Sequence, residues 1–175
     1  MTPIRPRYSR IDRLAKELLT NADEIEPPID VHKIAQSNGA SIRYERFDPD
    51  VSGVLVRDKG GNVIGVQKSQ SKARQRFTIA HELGHLLLHD GKVVHVDRAF
   101  RVNWRRDQEA EPHDVEEIEA NAFAANLLMP GEMIEKVLGS RSLDLEDATE
   151  IERLARVFEV STQAMNFRMI QLFSR

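Results

Sequence analysis

The densest chemistry in the chain is His81-Glu82-Leu83-Gly84-His85, two imidazoles four residues apart with a carboxylate beside the first. The apolar residues Phe77, Ile79, Ala80, Leu83, Leu86, Leu87 and Leu88 around it predict a long, mostly buried helix within 69–90, stopped by Gly91. On a helix the four-residue spacing sets both imidazoles on one face, the geometry that two zinc ligands need. Glu82 is turned by about 100° from His81, out of the coordination plane but within reach of a water at the metal. That is the place of a general base, and the chemistry implied is metal-assisted hydrolysis.

A catalytic zinc site takes three protein ligands and leaves a fourth position to water. A third His six residues beyond His85 would fall on Gly91, so the ligand has to come from a later segment. Glu116, Glu117 and Glu119 head another apolar helix and are the candidates. Glu117 is favoured because Asn121, at i+4, shares its face and can support a ligating imidazole as a second layer. Glu119 lies about 200° round the helix from Glu117 and is the reserve. The competing reading is a capping box, Asp114-x-x-Glu117, in which Glu117 serves only the helix's own backbone. His89 continues the 81, 85 series but drifts along the axis, away from a shared metal. His95, His113 and Tyr44 are each able to steady an oxyanion, and the residues alone do not choose among them.

The elements that must hold these groups can be read in outline. Ile11, Leu14, Ala15, Leu18 and Leu19 form the stripe of an amphipathic helix, and Asp30 is placed to cap a short second one stopped at Gly39. Ile42 and Tyr44 alternate with polar residues, and 51–57 with 63–67 flank the glycine turn Asp58-Lys59-Gly60-Gly61-Asn62 as a hairpin. Lys92 to Val96 reads as a further strand, followed by a polar stretch through His113 without clear periodicity. Asp114 is expected to cap the helix that ends near Pro130, and helices over about 145–158 and 161–173 close the chain. The expectation is an α+β fold: a mostly helical zinc core, a small antiparallel sheet and a C-terminal helical pair. It forms a single domain over 1–175, divided at about 8–68, 69–130 and 131–175.

Composition narrows the function further. The 175 residues contain no Cys, which excludes disulfides, thiolate metal sites and cysteine nucleophiles together. Lys and Arg number 25 against 28 Asp and Glu, a net charge of −3, which disfavours nonspecific binding to nucleic acid. The residues 1–10, with three Arg and two Pro, lack the apolar run of a signal peptide, and no later stretch is long enough for a membrane span, so a cytoplasmic protein is expected.

The run Arg76 to His89, followed by Glu117-x-x-Ala120-Asn121-x-Phe123-Ala124-x-x-Leu127-Leu128-Met129-Pro130, resembles the ImmA/IrrE family of zinc metallopeptidases. Pro28 to Val31, Ser52 to Val56 and Leu154 to Ser161 extend the likeness over about 8–173. The resemblance implies a thermolysin-like core in which His81, His85 and Glu117 bind zinc and Glu82 is catalytic. The implied substrate is a helix-turn-helix repressor of the phage or xenobiotic-response type, cut to lift repression during stress or mobile-element induction. Where the family carries a second carboxylate, this chain has the neutral Asn121.

A different class of function is carried by the last two helices, whose Leu154-Ala155-x-x-Phe158-x-Val160-Ser161 has a helix-turn-helix look, with Gln163, Asn166 and Arg168 as possible base readers. The alternative is therefore a DNA-binding or protein-interaction regulator with a structural or vestigial zinc site. Few basic residues follow position 145, so a packing unit or a substrate-docking surface is the preferred reading of this pair.

Overall fold

The computed structural model of the protein describes residues 5–91, 93–98, 112–139 and 148–173. Helix α1 (Tyr8–Asn21) buries Ile11, Ala15, Leu18 and Leu19, the expected stripe. In α2 (Val31–Ser37) the Asp30 side chain accepts from the Lys33 backbone N–H at 3.0 Å, occupying one of the donors a helix start leaves over. Three strands follow, β1 (Ala40–Glu45), β2 (Val51–Val56) and β3 (Asn62–Gln67), then α3 (Lys72–Leu88) and β4 (Val94–Arg98). The chain continues through α4 (Pro112–Leu128), α5 (Gly131–Leu138), α6 (Ala148–Phe158) and α7 (Thr162–Phe173).

The α+β architecture stands, but the sheet is mixed. Its order is β1-β3-β2-β4, with β2 antiparallel to both β3 and β4 and β1 parallel to β3. The 51–67 hairpin forms as its turn residues demand, and it inserts β3 between β2 and β1. Strand β1 therefore runs alongside β3 in the same sense, with Ile42 opposite Ile64. Side-chain alternation marks a strand without naming its neighbour, so an all-antiparallel sheet was a reasonable expectation that the pairing corrects.

Two helix boundaries also differ from expectation. Helix α3 begins after Ser71, whose Oγ accepts from the Arg74 N–H, and it ends at Leu88 before reaching Gly91. There Arg57 donates to the carbonyl of His85 at 2.7 Å, taking over an acceptor the helix end leaves over. Helix α4 starts at Pro112, so Asp114 lies within its first turn instead of capping it. Proline suits a first turn because its missing N–H is not needed there. The polar stretch 99–111 and the start of the helix expected from 145 lie outside the described residues.

Beyond its first two turns helix α4 is mostly apolar, with Ala120, Ala122, Phe123, Ala124, Ala125, Leu127 and Leu128 buried and Asn121 and Asn126 its polar residues, the pattern of a central helix. One contiguous set of buried side chains runs from Ile11 in α1 through Ile64, Leu83 and Phe123 to Met169 in α7. Among the described residues no helix is long and apolar enough to cross a membrane.

Candidate metal centre

Helices α3 and α4 meet at Gly84. A Cβ on that residue would lie 3.0 Å from Phe123 Cδ1 and 3.2 Å from Ala120 Cα, so a side chain there would force the helices apart. The close approach carries Glu117, one turn before Ala120, onto the two imidazoles. His81 Nε2 and His85 Nε2 are 3.0 Å apart, and the Glu117 carboxylate is 3.4 Å from the first and 3.2 Å from the second. Two donors on a tetrahedral zinc, each about 2.0–2.2 Å from it, sit roughly 3.3 Å apart. The three groups thus have the spacing of a coordination sphere.

The far sides of the two rings decide what faces inward. His81 Nδ1 lies 3.1 Å from Asn121 Oδ1, so this nitrogen carries the proton and donates it to the amide oxygen. His85 is held by a longer chain: its Nδ1 is 3.2 Å from His89 Nδ1, and His89 Nε2 is 3.0 Å from Glu119 Oε2. Glu119 in turn accepts from the backbone N–H of Arg7 at 2.7 Å and from its Nε at 2.9 Å. With Glu119 ionised, His89 donates from Nε2 and accepts the His85 proton at Nδ1. Both facing Nε2 atoms are then left with lone pairs, and two lone pairs 3.0 Å apart repel unless a cation lies between them. The residues fit a divalent metal ion.

The electrostatics agree. Burial pushes the His85 imidazole down to about 3, further than the facing Glu117 carboxylate raises it, so the ring is neutral and able to ligate. For Glu119 burial works upward, but hydrogen bonds from Arg7 and His89 outweigh it and bring the carboxyl down to about 2. Glu82 is fully buried, and neither of its carboxylate oxygens has a hydrogen-bond partner among the described residues. Burial, then the neighbouring Asp97 and Glu117, raise its pKa well above the ordinary carboxylate value. It is packed against Gly53 of β2, where a Cβ would lie 2.8 Å from Glu82 Oε1 and 2.6 Å from Thr78 Cγ2.

All but one of the candidate site residues have a definite place. His81, His85, Glu117 and Glu82 converge, with Asn121 behind His81. Glu117 faces the imidazoles, and because α4 starts at Pro112, Asp114 is not at the cap position that a capping box with Glu117 would need. Glu119 and His89 stand one layer back, on His85, as the 200° offset and the axial drift would have them. His95 joins the cluster from β4: its Nε2 is 3.6 Å from Glu117 Oε1, and its ring centroid lies 4.2 Å from that of His85. Tyr44 is elsewhere, on the opposite edge of the sheet from β4, 2.6 Å from His32 Nε2. The side chain of His113 lies outside the described residues.

Sequence reasoning missed Arg7 and Asp97. Asp97 is buried beside His81 and Glu82, and its only signal was the alternation of His95 and Asp97 with valines. The base-reader reading of α7 loses its cation, because Arg168 is buried, donating from Nε to the Met129 carbonyl at 2.9 Å and from a terminal nitrogen to Asn126 Oδ1 at 2.6 Å.

Comparison with known proteins identifies the family. The model of the IrrE N-terminal-like domain, Peptidase_M78, matches residues 34–169. Metallopeptidase ImmA of Bacillus subtilis is 25% identical over 159 residues, 82% of this chain and 84% of that protein. Among solved structures, a Mycobacterium tuberculosis transcriptional regulator shares the fold, with a TM-score of 0.62 at 15% identity over 92% of this chain. This chain spans 55% of that regulator's length. A match over residues 34–169, carrying both imidazoles and the facing carboxylate, places the chain in the IrrE N-terminal-like family of metallopeptidases.

Proposed function

We propose that the protein is a zinc-dependent endopeptidase in which His81, His85 and Glu117 hold the metal and Glu82 is the general base. The observation that carries this reading is the convergence of two imidazole nitrogens and a carboxylate within 3.0–3.4 Å of one another. Two imidazoles and one carboxylate are a donor set of catalytic zinc sites. When bound, the metal supplies Lewis acidity toward a scissile carbonyl and acidifies a water. Glu82 accepts the proton of the attacking water and returns it to the leaving amine. Its burial and lack of partners raise its affinity for a proton, which suits a group that takes one from water, and a bound cation beside it would keep it ionised until then. Asn121 and the His89–Glu119–Arg7 chain keep both imidazoles in the tautomer that presents Nε2 inward.

The substrate in this reading is a helix-turn-helix transcriptional repressor, cut in the cytoplasm to release the genes it silences. It is supported by the likeness to the ImmA/IrrE family and not by any cleavage-site feature of this chain. The test combines metal analysis with proteolysis. Purified protein should contain about one equivalent of zinc, sharply reduced in His85→Ala and Glu117→Ala. The zinc-loaded protein should cut a helix-turn-helix repressor of the phage or xenobiotic-response type at a discrete bond, and Glu82→Gln should not. Zinc retained in Glu117→Ala would overturn the ligand set, and an intact repressor after incubation with the zinc-loaded protein would overturn the substrate.

A further inference from the structure

Strand β4 carries its side chains in an order unlike that of a strand laid on an apolar core. Val94 and Val96 are 47% and 42% exposed, while Asp97 is only 7% exposed and His95 is half-buried. Alternation along a strand puts His95 and Asp97 on one face, and that face is turned to the metal centre. Asp97 sits with His81 and Glu82, and His95 with His81, His85 and Glu117. Exposing two valines forgoes hydrophobic stabilisation, and burying a carboxylate adds a cost. The arrangement is explained if the polar pair is there for the site.

We propose that His95 is a fourth protein ligand, so that the resting metal is enclosed by His81, His85, His95 and Glu117 and β4 must shift before a scissile carbonyl can reach it. This rests on the metal centre argued above and adds to it how that centre is restrained. One ligand atom from each of the four residues lies within 4.8 Å of the other three. Sites that keep an open position are catalytic and those closed by four protein groups are inert, so the fourth group sets the reactivity. A residue that only steadied an oxyanion would stand off from the ligands and point at the carbonyl, whereas His95 Nε2 lies among the ligand atoms themselves. Among the described residues β4 is an edge of the sheet, paired only with β2, and its register is interrupted between Val51 and Gly53. The protein would then hold its metal in a latent form, opened by whatever draws β4 aside.

X-ray absorption on the zinc-loaded full chain counts imidazole ligands directly. Wild type should show three, and His95→Ala and His95→Phe two, with an oxygen donor in place of the third; the Phe variant keeps a ring against His85. Zinc affinity, read by competition with a chromogenic chelator, should fall at least tenfold in both variants. One bound zinc with two imidazoles in wild type, unchanged in either variant, would overturn the inference and leave the three-ligand centre intact. Wild type that binds no zinc, or that keeps it after Glu117→Ala, would overturn the centre and the inference together. Should either variant fail to fold, the wild-type count alone decides.

Discussion

The crossing of α3 and α4 and the pair α6 and α7 are both buried, largely apolar helix contacts, yet they differ in the polar groups they enclose. The first encloses His81, Glu82, His85, His89 and Glu119, and the second Ile151, Leu154, Ala155, Phe158, Met165 and Met169 with Arg168 as its one buried ion. Buried polar groups cost free energy unless paired. At the α3–α4 crossing most are paired, through Asn121 and through the chain ending at Arg7, but Glu82 is not. In α7 even Arg168 is fully engaged, bonded to Met129, Asn126 and Gln171. One contact therefore gives up stability for chemistry, while the other supplies stability and nothing else visible. Substitutions should separate the two.

The largest effect is expected at the unpaired group. Glu82→Gln should reduce repressor cleavage by about 10²–10⁴-fold, the range for loss of a general acid–base group, with zinc stoichiometry unchanged. In the metal-free protein the variant should melt no lower than wild type, because a neutral amide replaces a buried carboxylate without partners. A clear fall in melting temperature would mean that Glu82 is structural, and the contrast between the two helix pairs would weaken. Next comes the apolar pair, where Leu154 is fully buried. Leu154→Ala should cost about 2–5 kcal/mol in denaturant unfolding while zinc affinity stays the same. A loss of affinity in that variant would show that the helical pair shapes the metal centre.

Which parts of this contrast were legible beforehand follows from what a one-dimensional pattern contains. The spacing of His81 and His85 states its own geometry once the segment is helical, and the periodic apolar residues make it helical. The roles of Glu117 and Glu119 were separable by angle, but which of the two faces the imidazoles depends on the side α4 presents to α3. Gly84 and Ala120 set that side through contact between distant segments. Arg7 lay beyond such reasoning, because it acts 112 residues away from Glu119. Strand β4 was legible only in part: His95 stood among the oxyanion candidates, but because its valines face outward, the alternation did not show that His95 and Asp97 share the face turned to the imidazoles. The parallel pairing of β1 with β3 was hidden likewise, since strand partners are chosen in three dimensions.

Within the centre a finer comparison remains, between the two imidazoles. His85 leans on a relay that ends in an ionised carboxylate, and His81 on a single neutral amide. Removing the carboxylate's charge with Glu119→Gln should lower zinc affinity about 10–100-fold, as loss of an outer partner of a ligating His does. Arg7→Ala should produce part of the same loss, and in the double variant the two effects should fall short of their sum because they lie on one chain. Full additivity would mean that Arg7 acts on something other than Glu119.

Asn121 supplies the smallest and most discriminating test. A carboxylate accepting from a ring N–H makes a bond roughly twice as strong as a neutral amide does, and it raises the basicity of the opposite nitrogen. Asn121 is only half-buried, so a charge there remains partly solvated. Asn121→Asp should therefore tighten zinc by several-fold in a chelator competition, while the metal-free protein loses stability because the new charge lies one helical turn from Glu117. The two changes have opposite signs, the first following from a cation between His81 Nε2 and His85 Nε2 and the second from its removal, which leaves the added charge unbalanced. Unchanged zinc affinity would show that the amide already fixes the ring as firmly as a carboxylate can, and that the two imidazoles are equivalent despite their different supports.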